Sequence, residues 1–326
     1  MARSVAIVGA GQIGFAAAQA FQSADWEVTI HARSKPRWLS RTTAFVRYDT
    51  QQDRAPVADV VVDSIAYDAD DIARYDPGAI GRLIAISSAS VYCDAKGRTL
   101  DEAAQNGFPD FPGPIAEDQA TVAGGPETYS TRKIRMEQEA QERFGDRASI
   151  LRPCAIHGPW SRHPREWWFV KRLLDGRTRI PLAISGQSRF QTTAARTIGE
   201  FACHTAIGDH SGIYNIADAD SPSVREIGEA IATYLEKQAK WVECEDYPEK
   251  GVGRTPWSIP APMLVSGDKA AATGFDTARP YRHGSDGFDW LAQQPRDDWR
   301  TAFPQLAAYP WDLFDYAAED AVMDRL

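Results

Sequence analysis

The stretch Ser4-Val5-Ala6-Ile7-Val8-Gly9-Ala10-Gly11-Gln12-Ile13-Gly14 decides the fold. An apolar run enters a GxGxxG turn. An Ala-rich helical pattern follows over Phe15–Ala24, and then a second apolar run over Val28–Ala32. A glycine triad between a strand pattern and a helix pattern is a dinucleotide-binding fingerprint. Gly9 allows the tight turn. Gly11 lets the backbone approach a pyrophosphate, and Gly14 lets the helix pack close to the sheet. The N–H groups that open the helix, at Gln12 and Ile13, then face the negative charge.

Versions that bind NAD usually end the second strand with an Asp or Glu that holds the ribose hydroxyls. Here the chain reads His31-Ala32-Arg33-Ser34-Lys35, with Arg37 just beyond and no carboxylate. A guanidinium can pair with a 2′-phosphate through two hydrogen bonds. The expected cofactor is therefore NADP(H) in preference to NAD(H), with Arg33 and Ser34 on the phosphate.

The 326 residues allow a large core, in one elaborated domain or two. A formal charge of −9 disfavours DNA and RNA as partners and leaves a small molecule as the expected one. Cys93, Cys154, Cys203 and Cys244 are far apart. They read as buried thiols in a reducing cytoplasm, and no metal is expected. No apolar run approaches membrane-spanning length. The chain enters a strand almost at once, which leaves no room for a signal peptide.

Further apolar runs occur at Ala44–Tyr48, Val60–Ile65, Leu83–Ser87 and Ala148–Arg152, separated by helical stretches such as Asp68–Tyr75 and Thr131–Phe144. This alternation predicts an α/β fold, a Rossmann-type doubly wound parallel sheet. After Pro153 the texture turns rich in Trp, Pro and Arg. The expected division is a core over residues 1–153 with a return segment at about 187–217. A smaller irregular substrate lobe then takes residues 154–186 and 218–326 and closes over the cofactor. The insert 93–128 reads as a surface loop over the pocket. The aromatic tail 289–326 reads as a docked packing element.

Two segments carry chemistry. Ile86-Ser87-Ser88-Ala89-Ser90-Val91-Tyr92 ends a predicted strand, and Tyr129-Ser130-Thr131-Arg132-Lys133 opens a helix. Residues four apart share a helical face. An ammonium at Lys133 would lower the pKa of Tyr129 toward working pH. A serine from the strand end would hold the substrate oxygen. YxxxK alone also fits a surface helix; its position after the fingerprint and the serine-rich strand end favours catalysis.

These motifs resemble the extended short-chain dehydrogenase/reductases, the NAD-dependent epimerase/dehydratase family, over nearly the whole chain. Ser87-Ser88-Ala89-Ser90-Val91-Tyr92 is similar to the family's SSxxVY, and Tyr129 and Lys133 match YxxxK. The resemblance implies Ser88, Tyr129 and Lys133 as catalytic residues. It places Asp49 on the adenine, and Ala66, Ser87, Lys133 and Pro153 along the cofactor. Leu151-Arg152-Pro153-Cys154-Ala155-Ile156-His157-Gly158-Pro159 resembles the stretch LRPxxxYGP, with His157 in the tyrosine's place.

The Asp-Glu pair of the sugar dehydratases is replaced by Ala89 and Ser90. Ser90, His157, Trp160, Trp168 and Arg189 are candidate substrate contacts, although His157 equally suits a structural hydrogen bond and the tryptophans equally suit packing. The resemblance implies an NADP(H)-dependent oxidoreductase acting on a carbonyl or carbinol carbon. A nucleotide-sugar epimerase that uses Arg189, and a noncatalytic NADP-binding or RNA-associated member, stand as alternatives. A homodimer is common in the family.

Overall fold

A computed structural model describes residues 3–246 and 248–325. The chain divides into two compact units. The first holds residues 1–156, 193–218 and 265–278, and the second holds 157–192, 219–264 and 279–326. The first return begins a few residues later than the sequence division has it. The second, 265–278, is absent from that division.

The first unit is built on β1 (Ser4–Val8), α1 (Gln12–Ser23), β2 (Glu27–Ala32), β3 (Ala44–Arg47), β4 (Val60–Asp63), α2 (Ala69–Ala73), β5 (Arg82–Ile86) and β6 (Ala148–Pro153). Gly212–Ile216 supplies a seventh strand. All pairings are parallel, in the order seventh strand, β6, β5, β4, β1, β2, β3. The order reverses between β1 and β4. In folds of this kind ligands bind beyond the carboxyl ends of the strands at such a reversal. β4, β5 and β6 are buried along their whole length, which explains their near-continuous apolar runs.

One sheet face is covered by α1 and the helix Ala195–Gly208, through Ala17, Phe21, Ile198 and Phe201. Small residues let these helices nearly touch. A Cβ on Gly199 would lie 2.5 Å from the carbonyl carbon of Ala16. Gly199→Val therefore forces the helices apart and is expected to cost about 1–3 kcal/mol, read as a lower urea midpoint at unchanged slope.

The other face carries α2 and the long helix Tyr129–Phe144, with Tyr75, Met136, Ala140 and Phe144 in its core. A capping box of Thr128 and Thr131 starts the long helix, so Tyr129 is its first residue. Arg132 and Arg135 pair with Asp68, the residue that caps α2.

The insert 93–128 is more ordered than a surface loop. Asp94 accepts backbone hydrogen bonds from Lys96, Arg98 and Asp110. Phe111 and Ile115 are buried. Ile115 bridges Val265, and its carbonyl accepts from Asn215 in the seventh strand.

The second unit contains the helices Trp167–Leu174 and Val224–Tyr234 and a parallel pair, Arg179–Leu182 with Lys240–Glu243. Trp167, Trp168, Phe169 and Trp257 are fully buried in it. The tail docks through Glu319 and Asp320, which pair with Arg172 and Arg177. All four cysteines are free thiols. Among the described residues no helix is long and apolar enough to cross a membrane.

Candidate active site

At the turn after β1, Gly9 has φ +104° and its N–H donates to the His31 carbonyl at 3.0 Å. A Cβ on Gly9 would lie 2.3 Å from Ser64 Oγ, and one on Gly14 would lie 2.1 Å from the Gly9 carbonyl oxygen. Those two glycines serve the protein's own packing. Gly11 is different: a Cβ there would meet nothing within 4 Å. No side chain caps the start of α1, and no acid lies in its first turn. The open space, the uncapped helix start at Gln12 and Ile13 and the absence of negative charge suit a pyrophosphate. A nicotinamide dinucleotide therefore fits this turn.

Trp38, which the sequence reading missed, folds the loop after β2 back onto the turn. Its indole N–H donates to the Ala10 carbonyl at 3.0 Å, and its ring meets Phe15 edge-on. Arg33 and Ser34 are exposed just beyond β2. His31 lies one residue before the end of β2, and burial pushes its pKa down. Asp49 closes its own turn, accepting from the Gln51 amide at 3.0 Å and the Gln52 side chain at 3.3 Å. Its carboxylate keeps lone pairs for a further donor.

The proton-relay residues come together at the carboxyl ends of β4 and β5. Ser88 follows β5 and caps a 3-10 turn, accepting from the Ser90 amide at 3.1 Å. Its hydroxyl lies near enough to that of Tyr129 to hold the tyrosine's pKa down. One turn along the helix, Lys133 donates to the carbonyls of Ala66 at 2.6 Å and Ile86 at 2.9 Å, with Nζ 5.6 Å from the centre of the Tyr129 ring.

Burial lowers the Lys133 pKa to about 8, against the pull of Asp63 and Glu137. Tyr129 departs from the sequence expectation. Desolvation raises its pKa, Ser88 partly offsets the rise, and Asp101 and Tyr67 add to it. The expected lowering by Lys133 is absent because the lysine, with its pKa at about 8, is already neutral at the pH where the free Tyr129 would ionise. The Tyr129 residue as a whole remains 41% exposed, while its hydroxyl end is the desolvated part.

The helical face continues one turn further to Glu137, a residue missed in the sequence because a lone Glu on a helix reads as solvated. Glu137 is buried and accepts from Ser87 at 2.5 Å and from both nitrogens of a bidentate Arg152. Arg152 lies over the Tyr92 ring, and the Tyr92 hydroxyl donates to Asn215 at 2.7 Å. The Ser87 hydroxyl therefore points into this network. Glu137→Ala strands a buried guanidinium. Its expected cost is about 3–5 kcal/mol, seen in a denaturant melt.

Asp63, also missed, is fully buried at the end of β4. It accepts from the amides of Ile65 and Ala66 at 2.9 and 2.8 Å, and from Tyr75 and Arg74. It thereby fixes the Ala66 carbonyl on which Lys133 rests. Pro153 is buried at the end of β6.

The substrate candidates fare differently. Ser90 accepts from the Ser130 hydroxyl at 3.0 Å, and so docks its turn on the long helix. Trp168 is 1% exposed, with the Arg172 guanidinium 3.5 Å from its ring centre. It is a core residue of the second unit and not a pocket wall. His157 is buried against the ring of Tyr281 at 4.8 Å. Tyr281 in turn donates to the buried Glu166 at 3.4 Å. Trp160 is half-buried, with its ring 5.9 Å from that of Trp290. Arg189 donates to the Ser221 carbonyl and pairs with Glu226 at 3.2 Å.

Compared by sequence, no protein-family model and no curated protein matches the chain. Solved structures do match in shape. UDP-glucose 4-epimerase from Thermus thermophilus, complexed with NAD, is 14% identical, with 90% of this chain and all of that one covered at a TM-score of 0.65. UDP-N-acetylglucosamine 4-epimerase from Methanobrevibacter ruminantium, in complex with UDP-N-acetylmuramic acid, is 18% identical over 90% of this chain and 99% of its own, at 0.65. dTDP-glucose 4,6-dehydratase from Bacillus anthracis, in complex with NAD, is 16% identical over 94% of this chain and 100% of its own, at 0.63. The chain has the fold of these nucleotide-sugar epimerases and dehydratases, the fold of the extended short-chain dehydrogenase/reductases.

Proposed function

We propose that this protein is an NADP(H)-dependent oxidoreductase that moves a hydride to or from the carbonyl or carbinol carbon of a small molecule. The observation that carries the reading is the convergence of Ser88 and Lys133 on Tyr129 beside an open dinucleotide turn. The bound nicotinamide would supply or accept the hydride. Gly11, Gln12 and Ile13 would hold its pyrophosphate. Ser88 orients the substrate oxygen, and the Tyr129 hydroxyl gives that oxygen a proton or takes one from it. Lys133, held by Ala66 and Ile86, keeps a positive charge close to the tyrosine ring as the phenolate forms.

Support for the phosphorylated cofactor is the exposed Arg33 with no carboxylate from Ala32 to Arg37. Arg33→Ala is expected to weaken NADPH severalfold to a hundredfold, the effect of losing a charged hydrogen bond worth about 1.5–3 kcal/mol. Calorimetry that finds NADH bound as tightly as NADPH by the wild type overturns the preference. NADPH consumption with a panel of aldehydes and ketones tests the reaction itself.

A second reading, a nucleotide-sugar epimerase with tightly held NAD, is favoured by the names of the similar structures, two of them NAD complexes. Arg189 is 40% exposed and would take a diphosphate only by releasing Glu226. NAD that copurifies with the protein, together with UDP-sugar binding lost in Arg189→Ala, would favour this reading.

A further inference from the structure

We propose that Tyr67 forms a subsite for a neutral aryl group carried next to the reacting carbon of the substrate. The proposal rests on the carbonyl–carbinol reading above and narrows its substrate class.

Ile65, Tyr67 and Tyr129 are among the few large apolar residues left exposed, at 50%, 40% and 41%. Tyr129 belongs to the proton relay, and Ile65 and Tyr67 flank Ala66, whose carbonyl Lys133 holds. Ile65 belongs to the cofactor side, because its Cγ2 would lie 2.7 Å from a Cβ on Gly9. Tyr67 lies against the relay, its ring centre 5.6 Å from that of Tyr129 at a tilt of 40°. It is held firmly: its amide donates to Asp71 at 2.7 Å, and Asp63 pins the two preceding amides. A rigid, exposed aromatic surface beside a reacting hydroxyl marks a ligand contact.

The charges against these rings are already engaged. Arg132, 5.6 Å from the Tyr67 ring centre, pairs with Asp68 and donates to the Pro126 carbonyl. Asp101, which acts on Tyr129, accepts from the Ser130 amide. Lys133 is bound to two carbonyls. Among the described residues the cations beside these rings are thus already paired, which favours a flat apolar group over an anionic substituent at the exposed ring.

The test uses benzyl alcohol as a binding probe and benzaldehyde and hexanal as paired NADPH-dependent substrates, with wild type, Tyr67→Ala and Tyr67→Phe. Benzyl alcohol is expected to bind the wild type, about tenfold more weakly to Tyr67→Ala, and within twofold to Tyr67→Phe. The preference for benzaldehyde over hexanal should fall by a similar factor in Tyr67→Ala only. Absent binding to the wild type, binding unchanged in Tyr67→Ala, or an aldehyde preference that Tyr67→Ala leaves intact overturns the subsite. If binding follows Tyr67 as expected but neither aldehyde consumes NADPH, the reduction reading fails and the subsite stands.

Discussion

Tyr129→Phe is expected to lower turnover by at least about a hundredfold, the usual contribution of a positioned proton donor. Only one oxygen is removed. The ring stays beside Tyr67 and Lys133, so folding and cofactor affinity should change little. Ser88→Ala should also cost turnover more than cofactor binding. Lys133→Met should damage both, because the lysine also ties the Ala66 loop to the end of β5.

The same geometry sets a pH dependence. Lys133 has a pKa lowered to about 8, so it is charged below that value and neutral above it. Its support for the phenolate fades as pH rises through 8, and turnover should fall over that window in the wild type. Steady-state kinetics on one active carbonyl substrate decide both points. Near wild-type turnover in Tyr129→Phe would sink the relay.

The second large effect separates two glycines of one motif. In Gly11→Val the new side chain enters open space, so the fold should survive with its melting temperature within a few degrees. That space is the one assigned to the pyrophosphate, so the thermal stabilisation that NADPH gives the wild type should vanish. In Gly14→Val the new side chain meets the Gly9 carbonyl oxygen, where a Cβ would already lie 2.1 Å away. Helix and strand must separate, and the apo protein itself should melt many degrees lower. Thermal scans of both variants, with and without NADPH, give two opposite signatures. A ligand-induced rise that persists in Gly11→Val would remove the turn from the binding site.

The parallel sheet was legible because its strands are continuous apolar runs. The strand read at Val60–Ile65, for example, occurs at Val60–Asp63. The long helix read from Thr131 begins two residues earlier, at Tyr129, where Thr128 caps it. Three things were not legible. The segment 265–278 has no period of its own; what ties it to the first unit is Val265 against Ile115 and Phe275 against Phe201. Trp168 beside arginines reads alike in a pocket and in a core, and only packing tells them apart. Glu137 and Asp63 are acids of ordinary appearance whose burial and partners come from elements distant in sequence. Extending the four-residue step from Tyr129 through Lys133 would have reached Glu137.

The first unit draws on three separated stretches of chain, and this bears on how the protein is made. A ribosome that has finished residue 156 has synthesised six of the seven strands. The seventh, which pairs with β6 from Ser149 to Pro153, does not yet exist. Nor does the helix that shields Phe21 and Ala17. Until residue 218 emerges, the nascent chain carries an unpaired sheet edge and a bare oily helix face, the features that invite association with other chains. Synthesis of the intervening part of the second unit is thus a period of exposure for the first, and a protein truncated at the end of its apparent nucleotide-binding domain inherits that exposure permanently.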